Sequence, residues 1–155
     1  MKTAVVYYSY EGNCDFVAKQ IKNHLNADLI RLEIAEERRS GFAEICRTFF
    51  QLIKKPVLKP HGFDCSAYDL IILGAPVWVF SPAPAMQKFI SEAGISGKKL
   101  ALFLCHGGGM KKAMEKFKNM LTGNTIVCEI DFKNPAVKNT EEQKKHIEDW
   151  AKAFT

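Results

Sequence analysis

The chain lacks any apolar run near the ~20 residues that a membrane helix needs, and its start has no basic segment leading into a long apolar stretch. Both absences point to a soluble protein of the cytoplasm with no membrane partner. Cysteine is sparse and irregular: Cys14, Cys46, Cys65, Cys105 and Cys128 are five in number, with no C-x-x-C and no Cys/His cluster among them. Neither a disulfide framework nor a metal site is therefore expected, and unpaired thiols suit a reducing compartment. Cys105 and Cys128 sit in apolar runs, where a thiol serves as a small hydrophobe. A dinucleotide-type G-x-G-x-x-G fingerprint and a Walker A loop are both missing.

What is present fits one compact domain. The 155 residues, 47% hydrophobic and 25% charged, can bury a core without a staple and leave no room for a second domain, so residues 1–155 read as one unit. The net charge of +5 comes from lysines scattered along the chain rather than gathered with aromatics. Solvated positive faces account for that pattern, and no nucleic-acid partner is expected.

Apolar runs alternate with helical patterns along the whole chain. Thr3 to Ser9 is a short β-branched and aromatic run, read as the first strand, and a helix follows from about Asn13 with Val17, Ile21 and Leu25 on one face. Asp28 to Ile34 alternates apolar and polar, which suits a sheet edge. Phe42, Ile45, Cys46, Phe49, Phe50 and Ile53 then make one stripe on a helix ended by Pro56; that stripe suits a core face or a dimer contact, so monomer and homodimer both stay open. Pro56 to Ala67 reads as a loop. Tyr68 to Gly74 and Lys99 to His106 are nearly continuous apolar runs, as expected of central parallel strands covered on both faces. A helix beginning near Pro84 lies between these two strands, and another, carrying Met110 to Leu121, precedes a fifth strand at Thr125 to Phe132. A last helix opens with Thr140 and Gln143 at capping-box spacing. The expected architecture is an α/β three-layer sandwich around a five-stranded parallel sheet of order 2-1-3-4-5.

In such a sheet, ligands bind beyond the carboxyl ends of the strands where the order reverses, that is, at the loops after strands one, three and four. The first, Ser9-Tyr10-Glu11-Gly12-Asn13-Cys14, turns from strand to helix and aims free backbone N–H groups at one spot, which favours a phosphate. A tight turn capped by Asn13 is its plainer reading. The second, Ala75 to Pro82, carries Trp78 and Phe80 in a connection expected to be exposed, where a planar ring would give them a stacking partner. The plainer reading tucks both rings onto the next helix. The third, His106-Gly107-Gly108-Gly109, lets backbone lie against a flat ligand. His106 suits a proton donor, a ring-edge contact or a capping role.

These segments together resemble the flavodoxin family, over essentially the whole chain. VVYYSYEGNCDFVAKQI is similar to the family's phosphate loop, usually written S/T-x-T-G-x-T. YDLIILGAPVWVFSPAPAMQKFI is similar to its third strand and aromatic loop, and LALFLCHGGGMKKAMEKFKNML to its fourth strand and second ring-binding loop. The resemblance implies a flavodoxin-like fold and non-covalent flavin mononucleotide (FMN). Ser9, Tyr10, Glu11, Gly12, Asn13 and Cys14 would hold the phosphate. Pro76, Val77, Trp78 and Val79, with Phe80 beside them, would line the ring, and His106, Gly107, Gly108 and Gly109 would cover its pyrimidine side.

Three features depart from the family pattern. Glu11 replaces a hydroxyl residue, and its carboxylate is expected to turn to solvent while its N–H serves the phosphate. Cys14 replaces a threonine; a thiol at a helix N-terminus tends toward a lowered pKa and reactivity. The third loop lacks the tyrosine that often stacks on the outer flavin face. The resemblance thus implies an oxidoreductase-type flavoprotein: an electron carrier serving a redox partner protein, or, in the second reading, a small NAD(P)H-dependent reductase of quinones or flavins. A receiver-type signalling module shares the strand order but needs acidic residues where Ser9 and Gly74 stand.

Overall fold

The computed structural model describes residues 1–35, 56–110 and 112–153. The expected helix from Phe42 to Ile53 lies outside the described residues. Five strands, β1 (Thr3–Tyr7), β2 (Asp28–Arg31), β3 (Leu70–Trp78), β5 (Lys99–His106) and β6 (Thr125–Lys133), form a parallel sheet of order β2-β1-β3-β5-β6. A short β4 (Ser81–Pro82) pairs antiparallel with the end of β3, so the order is the expected one with a hairpin strand inserted.

Helices cover both faces. On one side, Val17 and Ile21 of α1 (Asn13–Leu25) and Ile147 and Trp150 of α4 (Thr140–Lys152) pack with Val5, Ile72 and Phe103. On the other, Met86 and Phe89 of α2 (Pro84–Ala93) and Phe117 of α3 (Ala113–Asn119) pack with Val6, Leu73 and Leu102. β1 is buried at every residue, because alternate side chains enter opposite cores. One glycine is dictated by this packing: a Cβ on Gly74 would stand 1.9 Å from the Phe103 ring, which crosses β3 there.

Three local expectations change. The stretch 75–82 is not an open loop: β3 continues through Trp78 and turns back into β4, because Val77 and Trp78 are good strand formers and the main chain can pair with Ser81 and Pro82. β2 ends at Arg31, after which Ile34 makes only an isolated bridge to Leu58. The last helix is capped by Asn139 in the left-handed region, without a side-chain cap bond, so Thr140 is its first turn and no capping box forms.

Candidate functional site

The site begins with how β1 ends. Tyr8 N–H donates to Gly74 O at 3.0 Å, which keeps the chain in the sheet until Ser9. Gly12 then takes φ 92°, a left-handed turn that swings the chain straight into α1. Ser9, buried, accepts the Asp15 N–H on its Oγ at 3.2 Å, so one orphan donor of the first turn is satisfied. The N–H groups of Gly12, Asn13 and Cys14 keep no partner among the described residues. They crown the positive end of a 13-residue helix.

A cleft of about 340 Å³ opens there, lined by Ser9, Tyr10, Glu11, Asn13, Cys14, Pro76, Val77, Trp78, Cys105, His106 and Gly107. The ends of β1, β3 and β5 thus meet in one place, as the strand order requires. Trp78 is half-buried rather than exposed, held by Tyr8 and Tyr10 in edge-to-face contacts with ring centroids 6.1 and 5.6 Å apart. Asn13 is tied to the far end of the chain, its Oδ1 accepting Ala136 N–H at 3.1 Å, which leaves its amide hydrogens as donors. Glu11 is exposed.

Not every expected residue enters the wall. Gly12 shapes the loop while its neighbours line the cleft, and Gly108 and Gly109 form an exposed rim beyond Gly107. Val79 and Phe80 stand outside the wall at the tip of the β3–β4 hairpin, 67% and 55% exposed. The Phe80 ring is thus largely exposed, whereas Trp78 packs against the core that α2 helps to form. Val79 and Phe80 have positive φ, 47° and 55°, because a two-residue hairpin needs that twist.

The expectation for Cys14 is overturned. Its thiol is buried at the base of the cleft, and burial, followed by a hydrogen bond with Cys105, pushes it well above the usual thiol range. Cys105 itself was read from sequence as a small core hydrophobe, yet it also lines the cleft.

Arg31 is a neighbour that the sequence reading passed over. Parallel pairing sets it opposite Tyr7, and its Nη2 donates to Ser9 O at 3.4 Å, with Nη1 3.6 Å from Asp15 Oδ1. Asp15 also receives Lys19 at 2.6 Å and the Tyr7 hydroxyl at 2.8 Å. Partial burial works against its charge, but the bonds from Lys19 and Tyr7 prevail and hold the carboxyl below its usual range. The same burial and the Asp15 carboxylate push the Tyr7 phenol up. This network braces the loop from behind.

The profile of the family described as Flavodoxin matches residues 48–154. The chain belongs to the flavodoxin family. No curated protein matches the sequence. Among solved flavodoxin-like structures, a flavoprotein from Lactobacillus acidophilus in complex with FMN is similar to it, with a TM-score of 0.74 and 19% identity over 97% of this chain and 98% of that one. A flavoprotein from Bacteroides uniformis gives a TM-score of 0.78 at 19% identity, covering 94% and 97%. Oxidised flavodoxin 2 from Bacillus cereus gives 0.63 at 22%, covering 99% and 97%. At these identities the likeness is one of fold.

Proposed function

We propose that the cleft holds FMN without a covalent bond, and that the chain carries electrons through the flavin to a redox partner protein. The observation that supports this most is the meeting, in one cleft, of uncommitted helix-start N–H groups with an aromatic wall. Family membership and the FMN held by the Lactobacillus acidophilus relative point the same way.

The residues present fit the group. For the phosphate there are the N–H groups of Gly12, Asn13 and Cys14, the Ser9 hydroxyl hydrogen and the Asn13 amide. Arg31 adds a cation close behind, tempered by Asp15. For the ring there are the Trp78 indole and, opposite it in the sheet order, the backbone of Gly107 at the end of β5. The cleft volume lies within the ~300–1,000 Å³ of ordinary cofactor sites. Glu11 lines the cleft but is exposed, which leaves its carboxylate room to turn to solvent while its N–H serves the phosphate.

When bound, the flavin supplies the redox chemistry, and the protein's part is position and electrostatics. Ser9 and the helix start fix one end of the ligand. Trp78, itself wedged by Tyr8 and Tyr10, holds the other at a set angle. Pro76 stiffens the strand that presents this wall, and its carbonyl is occupied by Ala83 N–H at 2.9 Å. The +5 chain suits an acidic docking face on the partner. Cytoplasmic residence is supported by the free thiols of Cys14, Cys65, Cys105 and Cys128.

The exposed rim of Gly107, Gly108 and Gly109 favours a second reading. With no aromatic side chain in that loop, one flavin face is open to a nicotinamide or quinone, which suits a small NAD(P)H-dependent reductase. Steady-state oxidation of NAD(P)H by the FMN-loaded chain separates the two. The carrier reading expects no turnover above that of free FMN, whereas saturable turnover with a quinone would replace it with the reductase reading.

A further inference from the structure

Val79 and Phe80 are the only pair of exposed large apolar residues adjacent in sequence among the described residues. Both stand in the left-handed region, where a β-branched or aromatic side chain is strained and an Asn-Gly pair would fit freely. Strain kept where a softer pair would serve points to a use outside the fold. The stem beneath the tip is pinned. Trp78 pairs with Ser81, and Ala83 N–H donates to Pro76 O at 2.9 Å. Gln87 Nε2 donates to Ser81 Oγ at 3.2 Å and to Pro82 O at 2.7 Å. An apolar pair is thus held out on a braced stem whose inner residue, Trp78, walls the cleft. Beside β4 packs α3, with exposed Lys112 just before it and exposed Lys116 on it. Neither lysine has an ion-pair partner among the described residues, and Glu115 between them offsets only part of their charge.

We propose that this tip is the docking anchor for the redox partner protein. Val79 and Phe80 enter an apolar hollow beside the partner's own redox centre, and Lys112 and Lys116 face acidic residues on its rim. This rests on the electron-carrier reading of the cleft. An aromatic anchor supplies affinity, and complementary charge around it supplies encounter rate and orientation. Placement decides the use: Val79 follows Trp78 directly, so a partner seated on the tip also meets the mouth of the cleft. A lipid surface fits less well, because two side chains bury too little apolar area for more than marginal attachment.

Cytochrome c serves as the probe, since its haem edge opens in an apolar hollow. The native protein is basic, and partial succinylation of its lysines gives an acidic form with the same haem. The FMN-loaded chain, reduced beforehand, is mixed with each form in stopped flow at low salt. One reduced flavin gives up two electrons and releases its protons to solvent, and two haems pass from ferric to ferrous. The rate with the succinylated form should exceed that with the native form by about tenfold. Val79→Asn with Phe80→Gly should cut the faster rate about tenfold. Lys112→Glu with Lys116→Glu should cut it by about as much and flatten its dependence on salt. FMN affinity and oxidation by benzoquinone, a small neutral acceptor, should not change in the tip variant, which shows that fold and flavin are intact. An unchanged rate of the tip variant with the succinylated form, or a faster reaction with the native form, overturns the proposal while the carrier reading stands. Binding of the holoprotein to phosphatidylglycerol vesicles that the tip variant loses replaces it with a membrane contact. A reduced holoprotein that reacts with benzoquinone but with neither cytochrome overturns the carrier reading, and this proposal with it.

Discussion

The hydroxyl of Ser9 accepts the backbone N–H of Asp15 at 3.2 Å, across the turn that joins β1 to α1. The bond fixes the loop and uses the hydroxyl only as an acceptor, which leaves its hydrogen free to donate to a phosphate. Ser9→Ala should therefore act twice. Loss of the cap costs about 1 kcal/mol of stability, and FMN affinity should fall about tenfold with the lost donor. Riboflavin, which has no phosphate, should bind the variant and the unsubstituted chain alike. Comparative titrations with the two ligands check this; an equal loss for both would place Ser9 away from the phosphate.

The hairpin tip stores strain. Val79 and Phe80 both hold positive φ, a region that costs an L-residue roughly 1–2 kcal/mol and that β-branched side chains avoid most. Asparagine followed by glycine is the pair that this turn prefers. Val79→Asn with Phe80→Gly should raise the thermal midpoint by about 3–10 °C, following a gain of about 1–3 kcal/mol. FMN affinity should hardly move, since both residues lie outside the cleft wall. A fall in midpoint, read by circular dichroism on heating, would show that the bulky side chains stabilise the tip after all.

Much of this architecture was legible in the sequence because its signals are local. The nearly continuous apolar runs of β3 and β5 and the alternation in β2 settled which strands lie inside and which at the edge. That order then brought Ser9, Trp78 and His106 together. What escaped the reading depends on partners distant in sequence. The β3–β4 hairpin carries none of the usual turn residues at its tip, and Pro76 and Pro82 made the stretch resemble a loop. Cys14 looked like an activated thiol because its helix start is visible in the sequence and its burial against Cys105 is not. Arg31 was legible in principle: parallel pairing of β2 with β1 sets it opposite Tyr7, directly before the phosphate loop.

Cys14 should be unreactive. Burial and its contact with Cys105 favour the protonated thiol, and only the thiolate alkylates readily. Timed iodoacetamide labelling of the native apoprotein, mapped by peptide mass spectrometry, should modify the partly exposed Cys65 well before Cys14. Labelling of Cys14 first would restore the activated thiol that its place at a helix start suggests.

Asp15 links the loop to pH. Its carboxyl is held below the usual range in the folded chain, so its contribution is fully present above the unfolded value of about 3.9 and is lost as pH falls through the lower folded value. Asp15→Asn should be less stable than the unsubstituted chain at neutral pH, and the gap should close in acid below about pH 4. Urea titrations across that range check the sign. A gap that is constant down to pH 2 would mean that Lys19, Tyr7 and Arg31 do not favour the charged form.

The central claim is that the ends of β1, β3 and β5 build an FMN site, and a direct titration tests it. FMN added to the apoprotein at neutral pH and low salt should lose its fluorescence up to one equivalent per chain. Ser9→Ala should weaken that binding, and the flavin absorption should stay with the protein through gel filtration. FMN fluorescence unchanged by a folded apoprotein at tens of micromolar would contradict the account.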